Sequence, residues 1–206
     1  MKDKPSIEYV LLGSLMSGPR HGYEIMQFLD SSLDSTWRVG TSQLYALLKR
    51  LEQDGQLRSN IKTQETRPSK RVFSLTEAGK KDFLNWLQTP TTHIRYLRLE
   101  FISKLFFFHL LALEGGIELV ESQIRVMKRQ RKKIEEKERH ERDPFRKLVY
   151  GFKLATAESY LQWLSERGRA FVKKNGHYGK SILSKNEFKE NNLYHHGEEK
   201  DTESFV

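Results

Sequence analysis

Three observations in the sequence predict a mainly α-helical chain in two parts, an α+β module followed by an all-α region of long helices. Apolar residues recur at helical spacing through most of residues 1–175, and the period changes to alternation only around 57–75. Gln88-Thr89-Pro90-Thr91-Thr92 is a short polar stretch with a proline and reads as a linker. The expected units are 1–88, 93–175, and a tail at 176–206. That tail is rich in Gly, Asn, Glu, Lys and His, has little periodic apolar content, and is expected to be disordered.

The elements follow in order. Ile7, Val10, Leu11 and Leu15 share one helical face, Ser6 can cap its start, and Ser17-Gly18-Pro19 ends it. His21-Gly22-Tyr23 opens a second helix with Tyr23, Ile25, Met26, Leu29 and Leu33 as its apolar side. After a loop carrying Asp34, Ser35, Thr36 and Gly40, a third helix runs from about Thr41 to Asp54. Leu44, Leu47, Leu48 and Leu51 face inward, and Gly55 stands where a helix-ending glycine belongs. Leu57, Ser59, Ile61 and Thr63 then alternate with Arg58, Asn60 and Lys62, as in a strand. The 64–69 stretch is polar and contains Pro68, and Val72, Phe73 and Leu75 form a second strand. Thr76 caps a fourth helix with Glu77 in its first turn and Phe83, Leu84 and Leu87 on its buried side. Helices with one basic-tipped hairpin in this order predict a winged helix-turn-helix.

Composition narrows the chemistry. The 206 residues hold 36 Lys+Arg against 27 Asp+Glu, a net charge of +9. It divides as +3 over 1–88, +8 over 89–175 and −2 over 176–206. Such a balance suits a polyanionic partner, nucleic acid before membrane. The chain has no cysteine, which excludes disulfides, thiol nucleophiles and Cys-based zinc sites and fits a reducing, cytoplasmic setting. The longest apolar run, 105–113, is interrupted by His109 and is far short of the ~20 residues a bilayer requires. No phosphate-loop, dinucleotide, zinc-protease or serine-hydrolase motif occurs, so neither an enzyme nor a cofactor or metal is expected. His195-His196 with Glu198 and Glu199 reads as polar tail rather than metal site.

Three segments of the module resemble the PadR family of transcriptional regulators. They are Tyr9-Val10-Leu11-Leu12-Gly13 with Gly18-Pro19-Arg20-His21-Gly22-Tyr23-Glu24-Ile25, then Leu44-Tyr45-Ala46-Leu47-Leu48-Lys49-Arg50-Leu51-Glu52-Gln53-Asp54-Gly55, and Arg71-Val72-Phe73-Ser74-Leu75-Thr76-Glu77-Ala78-Gly79. Ala46 and Phe73 depart from the residues common in the family, which bears on base preference more than on fold. The resemblance implies transcription regulation by DNA binding, more often as a repressor than an activator. It also implies that Tyr45 contacts DNA.

On the residues themselves, Ser42, Gln43 and Tyr45 begin the helix expected to enter the major groove. Gln43 is the best base reader, since glutamine pairs bidentately with adenine, while Ser42 and Tyr45 suit phosphates. Lys49 is placed for a phosphate, and Arg50 for either DNA or an acidic neighbour such as Glu52 or Asp54. Arg67, Lys70 and Arg71 give the wing a phosphate or minor-groove reading, against which stands ordinary solvation.

In the second half Ile94, Leu97, Phe101, Ile102, Leu105, Phe106 and Phe108 must bury against something. Ile117, Val120, Ile124, Met127, Arg131 and Ile134 describe a heptad-like seam that fades at Glu138 and Glu141. The nine basic and four acidic side chains of 125–142 read as a solvated face with i,i+4 pairs. Asp143-Pro144 breaks that helix, and Phe145, Leu148, Val149, Phe152, Ala155, Tyr160, Trp163, Leu164 and Phe171 describe another, to about Asn175. Glu158-Ser159-Tyr160-Leu161-Gln162-Trp163-Leu164 resembles the end of the PadR C-terminal domain. This implies the longer-tailed branch that includes the virulence activator AphA, and a homodimer through Ile117, Val120, Ile124, Phe152, Tyr160, Trp163 and Leu164. Trp37, Phe106, Phe107, Phe108, Tyr160 and Trp163 are either core and dimer contacts or the lining for a small hydrophobic or aromatic effector. Residues 1–88 are expected to hold a core of their own.

Overall fold

A computed structural model describes residues 6–32, 37, 39–64 and 67–175, with backbone alone for 6, 32, 62–64, 67–70 and 175. The expected Ser6 cap, Leu33 with Asp34, Ser35 and Thr36 of the loop, and the 176–206 tail lie outside the described atoms.

The chain is mainly helical around one small sheet. Helix α1 (Ser6–Ser14) is followed by a two-residue strand β1 (Arg20–His21), α2 (Gly22–Ser32) and α3 (Thr41–Gln53). The wing strands β2 (Leu57–Gln64) and β3 (Arg67–Leu75) precede α4 (Glu77–Gln88). All pairs are antiparallel in the order β1-β3-β2, with Arg20 opposite Phe73 and Leu57 opposite Leu75. The β1 strand was not anticipated, because two residues give no period. Tyr23, read as core, is 67% exposed, and Phe28 takes the inner position instead at 3%. The stretch expected as a loop up to Ser69 is strand from Arg67 onward. Pro68 is tolerated there because the register shifts between Lys62 and Gln64, so Pro68 and Ser69 stand opposite Thr63 alone in a bulge.

Local chemistry fixes the joints. Gly55, at φ +70°, donates to Glu52 O (3.0 Å), and Gln56 N reaches Leu51 O (2.9 Å), closing α3 with a left-handed cap. Thr76 Oγ1 accepts from Gly79 N at 3.1 Å and starts α4, as its position after the strand implied.

After the linker the chain makes a 3₁₀ turn (Ile94–Tyr96) and a π-helical turn (Leu97–Phe101), then α5 (Ile102–Leu110). An antiparallel pair follows: α6 (Gly116–His140), entered through Gly115 at φ +99°, and α7 (Pro144–Trp163), capped by Asp143 accepting from Arg146 N at 2.7 Å. A second π-helical turn (Leu164–Gly168) leads to α8 (Arg169–Asn175). Among the described residues no helix is long and apolar enough to cross a membrane.

The two halves share one hydrophobic core. Phe107 of α5 is fully buried inside the first module, edge-on to Phe83 (5.1 Å) and beside Phe28 (6.4 Å). Gly13 of α1 makes room for it, since a Cβ there would lie 2.4 Å from the Phe107 ring and 2.7 Å from that of Phe83. A chain cut at residue 88 would leave that space to water. Phe107→Ala should therefore cost about 3–5 kcal/mol in urea unfolding of the whole chain, lost in one transition with both halves. A 1–88 fragment that melts as cooperatively as the full chain would contradict this.

The end of the helical region is pinned to α6 by a bidentate pair, Arg169 Nε and Nη2 donating to Glu121 Oε1 and Oε2 at 2.6 and 2.9 Å. Those hydrogen bonds hold the Glu121 carboxyl below the usual carboxylate range. A depressed folded value means that the pair's contribution is complete above the unfolded glutamate value, about 4.3, and is lost as pH falls through the folded value. Amide exchange in α8 should accelerate in that acid window. In Arg169→Met it should already be fast at neutral pH.

Candidate nucleic-acid interface

The third helix divides its residues cleanly between two sides. Leu44, Leu47, Leu48 and Leu51 are buried, whereas Ser42, Gln43, Tyr45 and Lys49 are exposed. Gly40 at its N-cap contributes no side-chain cap, and the first turn holds no acidic residue. The leading backbone N–H groups of α3 thus point outward beside Ser42 and Gln43, a setting that favours an anion.

Tyr45 is 46% exposed and lies across the start of α2, where a Cβ on Gly22 would stand 2.6 Å from its hydroxyl. Tyr23 comes next on α2, its hydroxyl accepting from Gln27 Nε2 at 2.5 Å. Tyr23 is the surface residue that sequence reasoning missed. A tyrosine reads as apolar in a periodic pattern, and no spacing rule places its ring outside.

The wing differs more from expectation. Arg71 is committed within the protein: Nη2 donates to Glu52 Oε2 (2.6 Å) and Nε to Ser59 Oγ (2.7 Å), while Ser59 donates to Glu52 Oε1 (2.6 Å). Its guanidinium also sits 5.4 Å from the Phe73 ring centre. This closed triad joins the last turn of α3 to both wing strands, so Arg71 is a brace first, with about half its side chain still open to solvent. His21 Nδ1 lies 3.2 Å from Arg71 O, tying β1 to the same point. Arg67 and Lys70 belong to β3, but their side chains lie outside the described atoms. Arg50 pairs with neither Glu52 nor Asp54. It meets the buried carboxylate of Glu8 on α1, an ion pair across the core that spacing along α3 could not reveal. Arg20 lies over Phe28 (5.0 Å), and burial lowers its guanidinium from the usual value.

Of the residues expected at a dimer interface, Val120, Ile124 and Leu164 are at most 3% exposed within the single chain. They are intramolecular core, because α6 folds back on α7. Ile117 is half-buried. Tyr160 and Trp163 are also partly covered and, with Leu97, Arg98, Phe101, Ile102, Ser159 and Leu164, line a cavity of about 210 Å³. Phe152 alone of the expected set is open, at 73%. With Phe145 (71%) and Leu148 (69%) it forms an apolar stripe along α7. Phe107 and Phe108 are core, and Trp37 donates to Ser103 Oγ at 2.8 Å.

Residues 11–85 match the model of the transcriptional regulator PadR-like family. This segment is a PadR-type winged helix-turn-helix. Over that segment the chain is thus similar to a family of transcriptional regulators. Over 126 residues the chain is 29% identical to the negative transcriptional regulator PadR of Bacillus subtilis, covering 61% of this chain and 68% of that one. It is 26% identical over 90 residues to a probable transcriptional regulator of Mycobacterium tuberculosis, of which it spans 48%. A crystal structure of B. subtilis PadR in complex with operator DNA aligns over 81% of this chain and 99% of that one, at 24% identity and a TM-score of 0.42.

If Arg71 braces the PadR-type wing, Arg71→Ala and Glu52→Gln should be non-additive. A double-mutant cycle by thermal unfolding should give a coupling of about 0.5–3 kcal/mol. Additive losses would mean that the triad contributes nothing.

Proposed function

We propose that the chain is a homodimeric repressor that reads a palindromic operator with α3 and the β2–β3 wing. The observation that carries this reading is the outward row Ser42, Gln43, Tyr45 and Lys49 at the uncapped start of a helix whose other side is sealed by four leucines. Gln43 reads a base edge, Ser42 and Tyr45 hold phosphates, and Lys49, Arg67 and Lys70 add sequence-independent attraction. Arg71 retains a part through its exposed half. Two copies associate through Phe145, Leu148 and Phe152, which gives each operator half its own recognition helix. Repression is supported by the similarity to a negative regulator, and the longer-tailed, AphA-like branch by the paired long helices α6 and α7.

A second element of the proposal is an aromatic effector in the cavity beside Tyr160 and Trp163. That space exceeds the ~150 Å³ that accommodates benzene. Its lining is largely apolar, and Arg98 offers a carboxylate partner. The π-helical turns Leu97–Phe101 and Leu164–Gly168 both contribute to it, and such turns gather at functional sites.

Gel shifts against the region upstream of the protein's own gene, with scrambled competitor, test the DNA reading. Specific DNA should win in the wild type, and Gln43→Ala should lose about 1–3 kcal/mol of that discrimination without a change in melting temperature. Equal competition would instead indicate a winged helix that recruits proteins and binds DNA nonspecifically. Activation rather than repression would show as increased transcription from the bound promoter. For the cavity, an aromatic carboxylate should raise the melting temperature and quench Trp163 fluorescence. Neither effect should survive in Trp163→Ala.

A further inference from the structure

The linker between the two halves is held by buried polar groups that an apolar core does not need. Gln123 of α6 is 0% exposed and pairs with both backbone groups of one residue: Thr91 N donates to Gln123 Oε1 at 2.7 Å, and Gln123 Nε2 donates to Thr91 O at 2.9 Å. It is buried beside Val120, Ile124 and Met127 on the covered side of α6. Lys104 of α5 is likewise 0% exposed. Its ammonium donates to Thr89 O and to Glu100 Oε1, each at 2.6 Å, and lies 4.8 Å from the Trp86 ring centre. Glu100 Oε1 also accepts from Thr91 Oγ1 at 3.0 Å, and Gln130 donates to Thr92 O.

Burying an amide and an ammonium is costly unless each donor and acceptor is met. Here the linker residues Thr89 and Thr91 supply partners to both, with Glu100 as the counter-charge of Lys104. The contacts of Phe107 with Phe28 and Phe83 attract without fixing an angle, whereas hydrogen bonds to Thr89 and Thr91 are directional. We infer that Gln123 and Lys104 are positioning residues that lock the linker and thereby set the angle of the winged helix on the helical region. Given the homodimer proposed above, this lock sets the distance between the two recognition helices. The inference rests on that reading only for its DNA consequence.

Because the chain lacks cysteine, spin labels at Lys81→Cys in α4 and Lys137→Cys in α6 report the angle directly, with unlabelled chain in excess so that intramolecular pairs dominate. Gln123→Leu removes both hydrogen bonds and should broaden the distance distribution. Gln123→Glu keeps the shape and supplies a switch, since a protonated carboxyl offers one donor and one acceptor as the amide does, and a carboxylate offers no donor. Its distribution should be narrow at pH 5 and broad at pH 9, while the wild type stays narrow at both. For DNA, the probes are the duplex that wild type enriches most from a randomised pool and its isolated half-site. Gln123→Leu should lose about 10²-fold on the full duplex and less than about twofold on the half-site, because tethering is what fails. Unchanged label distances in Gln123→Leu, and in Gln123→Glu at both pH values, would overturn the lock. A wild type that enriches no duplex would overturn the operator reading instead, and the label distances would still decide the lock.

Discussion

Everything in this molecule depends on one ring in another element's space. Phe107 enters between α1, α2 and α4 because Gly13 has no side chain and because Phe28 and Phe83 present faces to it. That insertion makes α5 a structural member of the winged helix as much as of the helical region. It also accounts for the short path of the linker, in which Thr91 is buried while Thr89 and Thr92 stay exposed: α4 and α5 already touch through side chains. The polar groups of Lys104, Glu100 and Gln123 follow from this, since linker backbone drawn into a core must find partners there.

The elements proposed to face DNA inherit their rigidity from the same core. Four leucines anchor α3 from beneath, the Arg50–Glu8 pair ties it to α1, and the Glu52–Ser59–Arg71 triad ties its last turn to the wing. α3, the wing and the start of α2 are therefore tied together. In the proposed reading, a surface fixed at three places presents Ser42, Gln43 and Tyr45 to a duplex at little ordering cost, which favours affinity and selectivity alike.

Much of this was legible in the sequence, and for a definite reason. Periodicity reports which face of an element is buried, so the leucines of α3, the Thr76 cap, the Gly55 terminus and the Asp143-Pro144 break all emerged from spacing and local chemistry. Periodicity does not report what a face is buried against. Val120, Ile124 and Leu164 looked like a seam for a second chain, yet all three are sealed within the single chain, whereas Phe152 on α7 stays open. Arg71 looked free and is braced, Arg50 found a partner 42 positions away on α1, and Gln123 and Lys104 gave no sign of being sealed. Each of these is a contact between distant segments, which no local pattern contains.

The bulge at Pro68 has a consequence beyond the local ladder. Among the described residues β1 covers β3 only at Val72 and Phe73, so the outer reach of the central strand, from Arg67 to Arg71, has an edge without a partner strand there. Such an edge is a template on which a strand from another molecule can add, and from there aggregation can begin. A proline without an N–H and a shifted register both spoil that template. The described strands of the hairpin are thus poorly suited to recruiting copies of themselves into a growing sheet.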